Sequence, residues 1–175
     1  MLQSPLSHQI KRSSQMKIAS QMAAFVSTAS LCMGAWSQTP WPDFMSKLDP
    51  GFSTSPVVVV LPPDIAVESP AADLPAEKAR WSGKWRGWAC QDQACDTRLV
   101  VEKVSADGAS IIYAFSSAKV KPSIVRAEAK FVGEEIQATL GNGAKLSYRF
   151  RKSGDIEYYY QRDSGWAAGI LSKEK

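Results

Sequence analysis

The stretch Val125-Arg-Ala-Glu-Ala-Lys-Phe-Val132 alternates apolar and charged side chains with a period of two residues. In an extended chain its odd-numbered residues, all apolar, point to one side, and Arg126, Glu128 and Lys130 point to the other. This pattern predicts a β-strand with one face in a core and one face in water. Whether the whole domain is predicted to be a β-sheet protein therefore depends on how far the flanking sequence repeats the same alternation.

From Arg80 to the C-terminus the alternation recurs in short segments, separated by turn residues such as Gly141-Asn-Gly143. This predicts an all-β fold, an antiparallel up-and-down meander of about eight short strands. Strands with one apolar face each close naturally into a small barrel, which leaves no unpaired edge, although a two-sheet sandwich is the alternative. The predicted strands are 80–90, 97–104, 109–116, 125–132, 135–140, 145–151, 156–161 and 166–171.

Gly83-Lys-Trp85 lies on the first predicted strand, ahead of the meander. A Gly-x-Trp in this place resembles the calycin barrels, meaning the lipocalins and the avidin-like proteins. The resemblance covers roughly the last 97 residues and implies a barrel whose Trp85 closes one end, against an Arg from late in the chain such as Arg149 or Arg162. The Ala106-Asp-Gly-Ala109 segment is also similar to segments of exported bacterial domains of undetermined function.

Residues 1–37 have the composition of a secretory signal peptide. Basic residues between positions 11 and 17 precede an apolar stretch over 22–36, and Ala35-Trp-Ser37 supplies the small-x-small pattern of a cleavage site. The apolar stretch is short and contains Ser and Thr, which disfavours a membrane-spanning helix. We expect cleavage after Ser37 and an exported protein, periplasmic or extracellular, with no stable membrane span; an uncleaved anchor is the alternative.

Residues 38–78 contain eight of the ten prolines of the chain, among Ser, Ala and acidic residues. This composition predicts a proline-rich acidic linker ahead of a β-barrel domain over 79–175. The run Val57-Val-Val-Val-Leu61 is the exception, because prolines bound it on both sides. It is interpreted as an added edge strand, or alternatively as an aggregation-prone run held between prolines.

Cys90 and Cys95 are the two cysteines left once Cys32 departs with the leader. A pair of this kind in an exported chain predicts a disulfide bond. The alternative, half of a metal site, needs further Cys or His ligands, and the single His of the chain is His8. We therefore expect neither a metal nor a cofactor.

Charge and composition argue against two broad function classes. The leader holds three of the 21 Lys and Arg residues and none of the 17 Asp and Glu residues, so the remainder is nearly neutral and nucleic-acid binding is not expected. Catalytic triads require a His, and the only one, His8, lies in the leader. Carboxylate pairs such as Glu134-Glu135 are interpreted as solvated charges near turns, so we expect no enzymatic activity.

Aromatic residues on the first and last predicted strands are the candidate site. These strands adjoin in a closed barrel, where inward-facing rings would stack on an apolar or ring-shaped ligand; alternatively, they fill the core. The sequence predicts an exported, non-catalytic module for a small ligand or a cell-envelope component, or else a structural, protein-interaction domain with a filled core. The candidate ligand-binding residues are Trp81, Trp85, Tyr158, Tyr160 and Trp166, and the candidate surface contacts are Trp88 and Tyr159.

Overall fold

Eight antiparallel strands form a closed barrel, in which each strand pairs with its neighbours along the chain and the last pairs with the first. The computed structural model describes residues 37–175. It confirms the predicted all-β meander in its barrel form. The strands are β1 Gly83–Ala89, β2 Cys95–Val104, β3 Gly108–Ser117, β4 Ser123–Val132, β5 Glu135–Thr139, β6 Lys145–Phe150, β7 Ile156–Arg162 and β8 Gly165–Lys173.

The helical elements of the described residues are short. One α-helical turn, α1 (Ala76–Ala79), precedes β1, and 3-10 segments occupy Asp43–Lys47 and Gln91–Gln93. Within residues 37–175 no helix has the length and apolar character needed to cross a bilayer. The predicted signal peptide lies outside the described residues except for Ser37, and it stays a prediction.

The seam between β1 and β8 closes the barrel and depends on two glycines. A Cβ atom at Gly87 would lie 1.8 Å from the carbonyl oxygen of Ile170, and one at Gly169 would lie 1.8 Å from that of Trp88. Real Cβ atoms do not approach backbone so closely, so any side chain here would push the two strands apart. The seam therefore explains why glycine occupies both positions.

The apolar stripes predicted for β1 and β3 to β7 do face the barrel interior and form the main core. For β8 the alternation predicts that Trp166, Ala168 and Ile170 face inward, and this is wrong. Leu171 and Ala167 pack inward, while Ala168 packs against Tyr159 on the outside. Both faces of β8 carry apolar residues, so alternation alone does not decide which one is inside. Trp166 shares the outer face with Ala168.

The segment predicted to be a linker packs along the outside of the barrel, and we call residues 38–78 the strap. Its Met45 is fully buried, beside Tyr159 and Ala168. The strap backbone also accepts hydrogen bonds from the barrel. The Arg151 guanidinium donates to the carbonyl oxygens of Met45 and Leu48, at 2.9 and 2.6 Å. Proline-rich composition predicted poor core-forming ability, yet the strap binds to the outer face of the barrel, and its Leu74 packs against the main core.

Farther along, the strap contacts β2, β3 and β4, and the Arg126 guanidinium of β4 donates to Asp64 at 2.9 Å. Ser116 donates to the carbonyl oxygen of Val57 at 2.7 Å, and the Val59 amide donates to a carboxylate oxygen of Asp96 at 2.9 Å. The amide of Glu68 donates to the carbonyl oxygen of Glu102 at 2.7 Å. The strap thus contacts strands from most of the barrel circumference.

Residues 57–61 of the strap are not a β-strand, so the interpretation as an edge strand is wrong. The closed barrel offers no unpaired edge to which a strand could be added. Val59 is buried, whereas Val60 on the same segment is 81% exposed. The segment is held instead by hydrogen bonds to side chains of β2 and β3.

Candidate functional site

One end of the barrel is closed by packed aromatic rings. Trp81 and Trp85 are almost fully buried, and the Trp85 indole donates to the carbonyl oxygen of Trp81 at 3.1 Å. The Phe150 ring lies 4.2 Å from the Trp81 ring and 5.5 Å from the Trp85 ring. The guanidinium of Arg80 covers Phe150 at 3.9 Å. Two of the predicted ligand-binding residues therefore form a plug.

The plug agrees with the expectation that Trp85 closes one end, but the cationic partner differs. The Lys173 ammonium lies over the Trp85 ring at 5.1 Å. Arg149, one of the two expected partners, lies over the Trp41 ring on the outside of the barrel, and Arg162 is exposed at the other end of β7. β8 ends beside β1, which explains why a residue of β8 takes this role.

The middle of the barrel contains a cluster of tyrosines. The Tyr113 and Tyr158 hydroxyls are 2.8 Å apart and share a hydrogen bond. Their rings are stacked at 5.8 Å between centroids, and Tyr148 and Tyr160 extend the cluster, on Tyr158 and Tyr113 respectively. Burial raises the pKa of Tyr113, Tyr148 and Tyr158 above its ordinary value. These hydroxyls are therefore neutral at physiological pH and can donate hydrogen bonds.

Two buried hydroxyls of the interior have no hydrogen-bond partner among the described residues. They are the Oη of Tyr148 on β6 and the Oγ1 of Thr97 on β2. Thr97 faces inward, because it pairs with Phe115, a residue of the core, and Tyr148 lies in the core itself. An unpartnered buried hydroxyl costs ~1–3 kcal/mol, so both sites favour an additional polar atom.

At the end of the barrel opposite the plug, several inward-facing residues are only partly buried. Tyr160 and Phe115 both pack on Tyr113 from this side. No α-helix of the described residues crosses this end, since α1 lies by the plug, where Lys78 donates to the carbonyl oxygen of Ala106 in the β2–β3 turn. We call it the open end, and its half-buried lining is Phe115, Val125, Ala127, Tyr160 and Ala167.

The two predicted surface contacts face outward as expected, but the strap buries both. Trp88 is 5% exposed, and its indole donates to the carbonyl oxygen of Asp49 at 3.0 Å. Tyr159 packs with Met45 and lies 6.0 Å from the Trp41 ring. Exposure was the wrong expectation because the strap was taken for a free linker.

Trp166, predicted to line the barrel interior, lies on the outer surface and is 53% exposed. Its ring contacts Phe44 of the strap at 5.3 Å between centroids. Between the strap and the β1–β2 loop lies a groove of about 540 Å³, which we call the outer groove. Phe44, Trp88 and Trp166 supply its aromatic lining, and Leu48 and Ala168 its aliphatic lining.

The Cys90–Cys95 disulfide, confirmed with Cα atoms 5.7 Å apart, shapes the wall of the outer groove. Cys90, Asp92 and Gln93 all have positive φ angles, a backbone conformation that is costly for residues other than glycine. The carbonyl oxygen of Gln93 accepts hydrogen bonds from the backbone amide of Thr54 and from other strap groups. The bridge therefore holds a loop to which the strap is bound.

Sequence reasoning missed the strap's contributions to the site, above all Phe44 and Leu48. One signal that can reveal such a strap is an apolar residue at an outward-facing strand position. Trp88 and Tyr159 are of this kind, and each requires cover from outside the barrel.

Neither the known protein-family models nor the curated proteins match this chain. The closed eight-stranded antiparallel barrel is compatible with a calycin-like fold. The functional argument therefore rests on the geometry of two places, the open end of the barrel and the outer groove.

Proposed function

We propose that this chain is an exported, non-catalytic barrel module that binds a small ligand with an apolar or ring-shaped body and a polar atom at the open end. The observation that carries the proposal is the pair of unpartnered hydroxyls, Tyr148 Oη and Thr97 Oγ1, on the inner wall of a barrel whose opposite end is plugged. A ligand oxygen or nitrogen that reached either hydroxyl would remove the cost of leaving it unpaired.

The lining of the open end supports this ligand chemistry. Phe115 and Tyr160 are aromatic residues that are only partly buried, and the partly buried Val125, Ala127 and Ala167 have small side chains. An apolar ring inserted here would remove these faces from water, at ~25 cal/mol per Å² of apolar area. A micromolar affinity needs about −8 kcal/mol, which a buried ring and one or two hydrogen bonds supply.

Export is part of the proposal, supported by the signal-peptide composition and by a disulfide of the kind that persists in oxidising compartments. The calycin resemblance supports a ligand in the barrel, the place where those proteins hold theirs. The rival function, an interaction domain with a filled core, is favoured by the full burial of Tyr158 and by the Trp81 plug. Binding at the open end distinguishes the two.

The test is isothermal titration calorimetry with decanoic acid, indole and 1-naphthol on three variants. Ala127→Phe places a ring in the open end and should abolish binding. Thr139→Phe adds the same ring at an exposed position of the neighbouring strand β5 and should leave binding unchanged. Tyr148→Phe removes an unpartnered hydroxyl, so it should weaken binding without lowering the melting temperature.

Absence of binding by all three compounds to the unmodified protein would favour the filled-core interaction domain. Binding that survives Ala127→Phe would refute the open end as the site.

A further inference from the structure

The outer groove is a second cavity, separate from the barrel interior, whose walls come from both the strap and the barrel. Its floor is fixed by the hydrogen bond from the Trp88 indole to Asp49. Two rings at its edge remain accessible: Phe44 is 37% exposed and Trp166 is 53% exposed. A volume of about 540 Å³ lies within the range of ~300–1,000 Å³ that small-molecule sites occupy.

Four polar residues also line the groove: Lys47, Asp49, Asp92 and Gln93. Within residues 37–175 their side chains take part in no hydrogen bond and no ion pair, although polar side chains elsewhere on the strap and barrel are widely paired. Ion pairs do form close by on the outer face, as between Arg151 and Glu157. The side chains of these four polar residues are therefore available to form hydrogen bonds with a ligand in the outer groove.

The combination of lining groups distinguishes between ligand classes. A fatty acid or a flat aromatic molecule would use the rings but would leave two carboxylates without donors as water is excluded. A sugar ring has an apolar face of C–H groups that packs on an indole, and hydroxyl groups around its edge. Those hydroxyls donate to carboxylate and amide oxygens and accept from an ammonium group.

We propose that the outer groove binds a carbohydrate chain, with one sugar ring packed on Trp166 and Phe44 and its hydroxyls hydrogen-bonded to Asp49, Asp92 and Lys47. This site lies outside the barrel and does not depend on the open end. A groove of about 540 Å³ with both aromatic and polar lining residues is large enough for one or two sugar rings of a short oligosaccharide.

The experiment uses cellohexaose, chitohexaose and maltohexaose as probes in isothermal titration calorimetry on the full chain. At least one should bind, and Trp166→Ala should weaken that binding by roughly tenfold or more, equivalent to ~1.4 kcal/mol. Trp166 is 53% exposed and lies outside the barrel core, so the variant should stay folded and unfold cooperatively. Asp92→Asn should weaken binding as well, and Asn tolerates the positive φ at this position.

Phe52→Ala is the matched control, because Phe52 is another exposed strap aromatic that does not line the groove. It should leave the affinity unchanged.

The proposal is overturned if none of the three oligosaccharides binds, or if Trp166→Ala and Phe52→Ala affect binding equally. Binding of indole or decanoic acid that is lost in Trp166→Ala, without any oligosaccharide binding, would assign the groove to apolar ligands instead. Loss of binding in Ala127→Phe concerns the open end only, so the two proposals fail separately.

Discussion

Truncation of Met45 to alanine tests whether the strap is an integral part of the fold. Met45 lies in the 3-10 segment Asp43–Lys47, and none of its surface is exposed. It packs on Tyr159 and Ala168 of the barrel's outer face, with Trp41 and Leu48 beside it. Because this packing is lost on unfolding, removing the side chain should lower the free energy of unfolding.

The expected loss follows from burial and from the surroundings of the site. Truncating a buried Met to Ala costs ~2–5 kcal/mol, and the cost grows with the cavity that remains. Trp41 and Leu48 are only partly buried and can move into the space, so the lower part of the range applies, ~2–3 kcal/mol. In a chain of this size that loss lowers the melting temperature by ~5–10 °C.

The assay is urea denaturation followed by tryptophan fluorescence, together with a thermal melt. Val60→Ala is the control, because Val60 is an apolar strap residue that is 81% exposed, and its truncation should change stability by less than ~0.5 kcal/mol. A Met45→Ala protein as stable as the Val60→Ala protein would refute the packed strap and return residues 38–78 to the role of a linker.

Further predictions concern the seam, the bridge and the buried hydroxyls. Gly169→Ala should destabilise the protein by more than ~2 kcal/mol in the same denaturation assay, because its Cβ would meet the carbonyl oxygen of Trp88 at 1.8 Å. Cys→Ser at both Cys90 and Cys95 should cost ~2 kcal/mol and leave the protein folded, as circular dichroism will show, since the bridge closes a short loop. Burial raises the pKa of Tyr148 and Tyr158, so the unfolded chain loses these protons first and stability should fall as the pH rises past ~10. A tyrosinate absorbance titration that reaches full amplitude before unfolding would contradict this.

The sequence predicts the barrel well because apolar and polar residues alternate along any strand that has one buried face and one exposed face. In β4, Ala127 and Ala129 are more buried than Arg126 and Glu128, as the alternation requires. The hairpin glycines supply the turns between strands; Gly143 and Gly154, for example, have positive φ angles. Each strand pairs with the next along the chain, so local signals are enough to define the topology.

The site is harder to predict, because it depends on contacts between distant parts of the chain. Trp41 donates to Glu135 at 2.7 Å across 94 positions, and Arg151 reaches Met45 across 106. The sequence carries no periodic pattern for such pairs, since most of the strap is irregular and its prolines limit regular structure to short helical turns. A carboxylate such as Glu135 is hydrophilic whether it faces water or an indole donor, and composition alone does not distinguish these environments.

The strap also determines what the outer face of the barrel can do. Without it, Trp88 and Tyr159 would be exposed, and the buried Asp96 would lose the hydrogen bond from Val59. With it, the same face becomes a cavity with aromatic walls and a polar rim, because Phe44 is brought to within 5.3 Å of Trp166. Since one wall of the groove belongs to the strap and the other to the barrel, ligand affinity in the outer groove must depend on strap packing. Met45→Ala should therefore weaken binding in the outer groove, whereas the open end, which is lined by barrel residues alone, should keep its affinity.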